Sequence, residues 1–370
     1  MWIHEHQDWP NFIWDAEALT TKLADIRHRQ GRLLGRMEGL GFKLKREASL
    51  CTLTNDVVKS SAIEGKNLNP EEVRSSIANR LGIDIGGLIS ASRDVEDIVE
   101  MMLDATQQFS KPLTKDRLFD WHAALFPTGR SGMHRITVGG WRTLDTDPMQ
   151  VVSGPIGKEK VHFEAPGADR LEKEMQAFFD WFGNGHDIDP VLRAGVAHLW
   201  FVTIHPFEDG NGRIARAIGD MALASADNTQ DRFYSLSSQI EAERKDYYAQ
   251  LEKQQSSTPE ITIWLEWFLD CLGRAISSAE TTLGNVLFKA QLWNKINQKS
   301  VNDRQRLIIN RMLENDFKGH MNTSKYAKLV KCSNDTALRD IQDLKRRCIF
   351  IQNPGGGRST SYRLPNREEM

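Results

Sequence analysis

Apolar residues recur at helical spacing through most of the chain, and one stretch, residues 133–165, breaks that rhythm. This contrast limits the fold more than any other feature. Apolar positions that return every three to four residues form a stripe, and a striped helix is stable only when the stripe is covered by a neighbour. Periodic segments cover 15–58, 68–80, 90–108, 114–126, 169–183, 190–204, 213–225, 241–254, 259–278 and 304–314. Asp189-Pro190 agrees with such a start: an N-cap followed by proline at the first helical position, where the missing N–H has no intrahelical partner to lose. In 133–165 the pattern changes to Gly139-Gly140-Trp141, Val151-Val152 and Val161-His162-Phe163, with Gly154-Pro155 and Gly157 between them. Short β-branched runs set among glycine and proline predict a hairpin. The expected class is mainly α with one short β-hairpin.

At 370 residues the chain exceeds one ordinary domain. Three regions are expected: a helical N-terminal region over 1–85, with Trp2, Trp9 and Trp14 near its start; a main helical domain with the hairpin over 86–285; and a distinct region over 290–370. With 48 Lys and Arg against 50 Asp and Glu, the formal charge is −2, which excludes a chain that is basic throughout and binds nucleic acid by bulk charge. Cys51, Cys271, Cys332 and Cys348 lie far apart, with no CxxC pair, and read as free thiols of a reducing compartment. Met1–His6 has neither the basic nor the apolar run of a secretory signal, and no apolar run approaches the roughly 18 residues of a membrane span. A cytoplasmic protein without membrane attachment is expected.

The segment His205-Pro206-Phe207-Glu208-Asp209-Gly210-Asn211-Gly212-Arg213-Ile214-Ala215-Arg216 joins the apolar helix 190–204 to the next helix. Gly210 and Gly212 permit a turn that aims successive N–H groups at one point, and the helix that opens there adds its unpaired amides and positive dipole end. Arg213 and Arg216, three positions apart, lean to one side and suit phosphate oxygens. Asp209 is the natural ligand for the Mg²⁺ that accompanies a nucleotide. His205 is a general base for work near neutral pH, and Phe207 is the anchor that seats the loop. No Walker A pattern occurs. The loop is expected to hold a polyphosphate.

These twelve positions resemble the signature of Fic proteins, His-x-Phe-x-Asp/Glu-Gly-Asn-Gly-Arg-x-x-Arg, matched at every fixed position. The resemblance implies a helical core with a β-hairpin flap, and transfer of AMP from Mg-ATP to a Ser, Thr or Tyr hydroxyl of a target protein and of the enzyme itself. By position, His205 would deprotonate the hydroxyl and Asp209 would hold Mg²⁺. Gly210, Asn211 and Gly212 would cradle the phosphates, with Arg213 and Arg216 neutralising them. The segment Met149–Gly154 resembles the flap. Val151, Val152, Ser153 and Gly154 would border ATP there, and a target segment would add as a strand. Tyr247, Tyr248 and Gln255 fall where the family borders the adenine. Ser60-Ser61-Ala62-Ile63-Glu64-Gly65 resembles the inhibitory helix, in which Glu64, with Ser60 on the same face, pairs with Arg216 and denies it to the γ-phosphate.

In the last region, Arg304–Glu314, Thr323–Val330 and Asn334–Arg347 read as three helices. Ile349–Ile351 and Tyr362–Leu364 read as strands flanking Gly355-Gly356-Gly357-Arg358. Residues 301–370 carry 14 Lys and Arg against 8 Asp and Glu. This pattern predicts a winged-helix-like module that docks DNA or protein. A homodimer is a further expectation from the resemblance. The alternatives are a Fic enzyme that removes AMP, with Glu64 orienting water, and a Fic-linked DNA-binding regulator.

Overall fold

The computed structural model describes every residue except 85–87, 147, 156, 185–187, 298–299, 314–316, 318, 355–359, 367–368 and 370. The predicted loop Gly355–Arg358, Glu314 at the end of a predicted helix, and residue 86, which opens the predicted middle region, lie outside the described residues. The chain divides into two compact units, Met1–Glu280 and Thr281–Met370. Among the described residues no helix is long and apolar enough to cross a membrane. Helices dominate, and the strands among the described residues form three two-stranded antiparallel pairs.

The first unit runs α1 (Ala16–Glu38), α2 (Phe42–Ile63), α3 (Pro70–Arg80), α4 (Arg93–Gln107) and α5 (Lys115–Leu125). Two hairpins follow, β1 (Arg130–Ser131) with β2 (His134–Arg135), and β3 (Gln150–Ser153) with β4 (Lys160–Glu164). Then come α6 (Leu171–Asn184), α7 (Pro190–Ile204), α8 (Asn211–Asp227), α9 (Leu236–Ala242), α10 (Arg244–Gln255) and α11 (Thr262–Asn297), of which residues 262–280 belong to this unit and 281–297 to the second. At its centre α7 packs on α8. The Asp189 side chain accepts the Val191 N–H at 2.8 Å and starts α7, whose residues from Val191 to Ile204 are buried apart from Arg193. Gly195 lets α11 close on α7, because a β-carbon there would meet Leu265 and Phe268 at 3.0 Å.

The predicted helix 15–58 is two helices. Gly39 caps α1 and Gly41 opens α2, and α2 continues to Ile63 with Glu64 as its C-cap. The helix predicted to end at 278 continues to Asn297. Helix α9 was not expected. It spans 7 residues and is fixed by Ser235, whose hydroxyl accepts the Ser238 N–H at 3.0 Å. The predicted hairpin is narrower than its stretch, with β1 and β2 forming a separate turn before it.

The second unit contains α12 (Asp303–Met312), α13 (Thr323–Val330), α14 (Asn334–Arg346), β5 (Ile351–Gln352) and β6 (Tyr362–Arg363). Its own core gathers Leu292, Ile296, Ile308, Ile309, Tyr326, Ile341, Leu344 and Phe350. Lys331, with φ of 52°, makes the turn between α13 and α14, and Asp340 holds Arg304 at 2.8 Å and the Tyr326 hydroxyl at 3.1 Å.

Candidate active site

The site forms where α7 ends and α8 begins. His205 is the C-cap of α7 in a left-handed conformation (φ 52°, ψ 56°), which a non-glycine residue adopts only under constraint. Its Nδ1 lies 3.2 Å from the Val202 carbonyl. A carbonyl only accepts, so Nδ1 carries the proton and Nε2 of the neutral ring keeps a free lone pair. Burial pushes the imidazole down to about 4, with the Arg142 charge acting the same way. His205 is therefore neutral at pH 7, in the tautomer a general base needs.

Phe207 is fully buried and stacks on His122, with centroids 4.1 Å apart and planes 6° apart. The Asn211 side chain accepts the Phe207 N–H at 3.0 Å and donates to its carbonyl at 2.8 Å. The amide thus splints the loop, leaving the Asn211 backbone to the helix N-terminus. His122 is held neutral. Its Nε2 donates to the Asp209 carbonyl at 3.2 Å and its Nδ1 accepts the Gly139 N–H at 3.3 Å, while burial pushes it down to about 4. Gly210 has φ of 86°, and a β-carbon there would meet the Phe126 ring at 2.9 Å.

The Asp209 carboxylate accepts the Gly210 N–H at 2.6 Å through Oδ1 and the Ser131 hydroxyl through Oδ2, with the Arg213 guanidinium 3.8 Å away. Arg213 is buried over the Phe126 ring, 4.9 Å from its centroid. Arg216 is buried deeper. Its Nε donates to the Ser60 hydroxyl and its Nη2 to the Ser60 carbonyl, both at 2.9 Å, and Nη2 meets Glu64 Oε1 at 2.9 Å. Two donors are left over: Arg213 Nε and Arg216 Nη1 are buried with no hydrogen-bond partner among the described residues. Unpaired buried guanidinium N–H groups at a helix N-terminus are a cradle for an anion. Gly212 is where Glu64 intrudes, since a β-carbon there would collide with the Glu64 carboxylate.

The structure thus gathers His205, Asp209, Gly210, Asn211, Gly212, Arg213, Arg216, Ser60 and Glu64. Tyr248 joins them, its hydroxyl 3.5 Å from Glu64 Oε2 and 3.4 Å from the Ile63 carbonyl. Tyr247 is buried, with its hydroxyl 2.9 Å from His198 Nε2. Gln255 is also buried and donates to the Thr203 hydroxyl at 3.3 Å. Val151, Val152, Ser153 and Gly154 lie on the exposed β3 side of the second hairpin. That hairpin is clasped to α10: Glu252 takes Lys160 at 2.7 Å and His162 Nδ1 at 2.8 Å, and His162 Nε2 meets the Ser153 hydroxyl at 2.6 Å. Sequence reasoning missed His122, Ser131 and Arg142, which orient the loop from outside it. The only local signal was the glycine pair Gly129 and Gly132 around Ser131, which marks a tight turn.

Residues 112–223 match the profile of the Fic/DOC family, and residues 2–83 match that of a domain of unknown function, DUF4172. Residues 112–223 are a Fic domain. The Fic signature is the loop just described. A protein adenylyltransferase Fic of Nematostella vectensis is 24% identical over 233 residues, 61% of this chain and 49% of that protein. One of Drosophila virilis is 26% identical over 177 residues, 46% of this chain and 32% of that protein. The chain thus spans half or less of the length of these relatives. A Fic family protein from Desulfovibrio desulfuricans G20 superposes with a TM-score of 0.52 at 20% identity, over 94% of this chain and 96% of that one. A Fic domain containing signaling protein from Bacteroides thetaiotaomicron gives 0.51 at 18%, over 71% and 97%. At these identities the likeness concerns the fold.

Proposed function

We propose that this protein transfers AMP from ATP to a hydroxyl side chain of a target protein, and that Glu64 restrains the transfer. The observation that carries the reading is the placing of a neutral His205 imidazole, with Nε2 unprotonated, beside buried arginine N–H groups at the start of α8 that have no hydrogen-bond partner among the described residues. The Fic domain and the adenylyltransferase names of the relatives support it.

The chemistry is an in-line displacement at the α-phosphorus. The bond from the target oxygen to phosphorus forms, the α–β bridging bond breaks, pyrophosphate leaves, and the hydroxyl proton passes to His205 Nε2. The α8 amides and Arg213 neutralise the phosphates, and Arg216 is the cation for the terminal phosphate. The residues suit Mg²⁺ as nucleotide cargo. No cluster of three protein ligands occurs among the described residues, whereas Asp209 presents a part-exposed carboxylate beside the cradle, and one carboxylate plus substrate phosphates is a usual Mg²⁺ shell. When bound at Asp209, Mg²⁺ would supply charge neutralisation to the leaving pyrophosphate. The edge of β3 away from β4 has no strand partner among the described residues, so an extended target segment has an edge to join.

Glu64 occupies the space beside Gly212 and holds Arg216. A carboxylate where a phosphate would sit repels it. Glu64→Gly is expected to raise AMP transfer about tenfold or more, the equivalent of about 1.4 kcal/mol. Adding Arg216→Ala should remove most of that gain. Intact-mass spectrometry after incubation with Mg-ATP, on wild type and both variants, gives the answer. Absence of an AMP-mass adduct in Glu64→Gly, on itself and on proteins of an extract, would falsify the transfer reading.

A further inference from the structure

Arg142 lies outside the signature, within the irregular segment before β3, and is buried. Its side chain and its own amide are spent on backbone carbonyls. The main-chain N–H donates to the Pro206 carbonyl at 2.9 Å, Nε donates to the His205 carbonyl at 3.0 Å, and Nη2 donates to the Pro166 carbonyl. We propose that Arg142 is the positioning residue of this site, tying the left-handed turn at His205-Pro206 to the exit of the flap hairpin at Pro166.

The argument starts from strain. His205 is a β-carbon-bearing residue with positive φ, a conformation that persists only where its surroundings over-determine it. Arg142 supplies that determination, because two of its donors hold two consecutive carbonyls of the turn. The guanidinium is a planar fork with fixed donor directions, so the contacts set an angle as well as a distance. The preceding residue fixes the strap in turn: the Trp141 ring lies 5.1 Å from that of Phe207, the loop's buried anchor.

The third bond reaches the flap. The Ala165 N–H donates to the Met149 carbonyl at 2.9 Å and closes the base of the β3–β4 hairpin, and Pro166 follows directly. One guanidinium therefore grips both the turn that carries the base and the root of the hairpin whose free edge would carry the target. Their separation decides whether the target hydroxyl meets His205 Nε2, and a misplacement of 1 Å costs about 100-fold in rate. The same group sets the proton state. A buried cation bonded to the His205 carbonyl opposes a second positive charge on the imidazole, adding to the effect of burial.

This inference rests on the transfer reading for its kinetic arm but not for its titration arm. Full-length protein labelled at histidine is titrated by NMR between pH 5 and 8, with His205→Ala identifying the resonance. Wild-type His205 should stay neutral over that range. In Arg142→Met it should begin to protonate within it, its midpoint raised by roughly half a pH unit or more toward the ordinary 6.5. Arg142→Lys keeps the charge and loses the fork. Its imidazole should titrate as in wild type, while AMP transfer in the Glu64→Gly background falls about tenfold or more in kcat with little change in KM for ATP. An imidazole as neutral in Arg142→Met as in wild type overturns the electrostatic role. A lysine variant as fast as its parent overturns the positioning role, and it also decides the case if the methionine variant does not fold. If no variant transfers AMP, the transfer reading fails and the titration still judges Arg142.

Discussion

At the scale of single residues, the proposed transfer turns on proton placement. His205 donates through Nδ1 to Val202, so its reactive nitrogen is fixed before any substrate arrives, and its affinity for a proton is held near 4. A base must be unprotonated to act. With its folded value so far below the ordinary 6.5, the neutral fraction is close to complete from pH 8 down to about 5 and falls only as pH approaches 4. AMP transfer by Glu64→Gly, read by radiolabel across pH 4.5–8, should show no loss between pH 7 and 6. A rate that falls through that interval would mean that His205 titrates like an ordinary imidazole and that the tautomer assignment does not govern the reaction. His205→Ala should abolish transfer across the range, because no other group in the loop offers a free nitrogen lone pair.

At the scale of elements, two helix ends make the site. In the proposed reaction the C-terminus of α7 supplies the base, and the N-terminus of α8 supplies the anion cradle. Their relative position depends on α7 starting in register, which Asp189 enforces by capping Val191. Asp189→Ala should cost about 1 kcal/mol, seen as a melting temperature lower by roughly 2 °C in a unit of this size. A variant that melts with wild type would mean that Pro190 and core burial alone set the start of α7. The α7–loop–α8 element was legible because all its determinants are local: a cap, an apolar run, two glycines and two arginines within about thirty positions of sequence. The groups that orient it were not. Arg142 lies 63 positions from His205, Ser131 lies 78 from Asp209, and His122 lies 87 from the same residue. His122 lies in a periodic helix, Ser131 between two turn glycines and Arg142 just after Gly139-Gly140, but none of these local patterns says which distant loop the side chain meets, and only folding brings them to it. The seven-residue α9 failed for the opposite reason: it is too short for periodicity to rise above chance.

At the scale of the molecule, one buried network joins α1, α2, α8 and the segment before α9. Arg232 is fully buried and meets Asp227 at 3.1 Å and Asp220 at 3.5 Å. Asp227 also takes the Tyr234 hydroxyl at 2.6 Å and Gln30 at 3.1 Å. Asp56 of α2, fully buried, takes the Ser235 hydroxyl through Oδ1, while Asp56 Oδ2 and Asp220 Oδ2 have no partner among the described residues. Three carboxylates thus share one internal guanidinium, with Arg216 and Arg27 acting from further off. Burial pushes Asp220 up to about 6, and burial with the neighbouring Asp220 charge pushes Asp56 well above the carboxylate range. The sign follows from linkage. In the unfolded chain these groups lose their protons near pH 4, whereas in the folded protein they keep them longer, so the stability they contribute is full below pH 4 and is lost as pH rises through about 6. Each unit of displacement is worth about 1.4 kcal/mol. Asp56→Asn keeps an oxygen for Ser235 and removes one ionisable group. Its melting temperature should exceed that of wild type at pH 8, and the difference should shrink steadily as pH falls toward 4. Paired calorimetric scans of wild type and variant at pH 8, 6.5, 5 and 4.5 make the comparison directly. A difference that is the same at every pH would show that Asp56 acts through packing alone and that α2, which carries Ser60 and leads into Glu64, is seated without regard to charge.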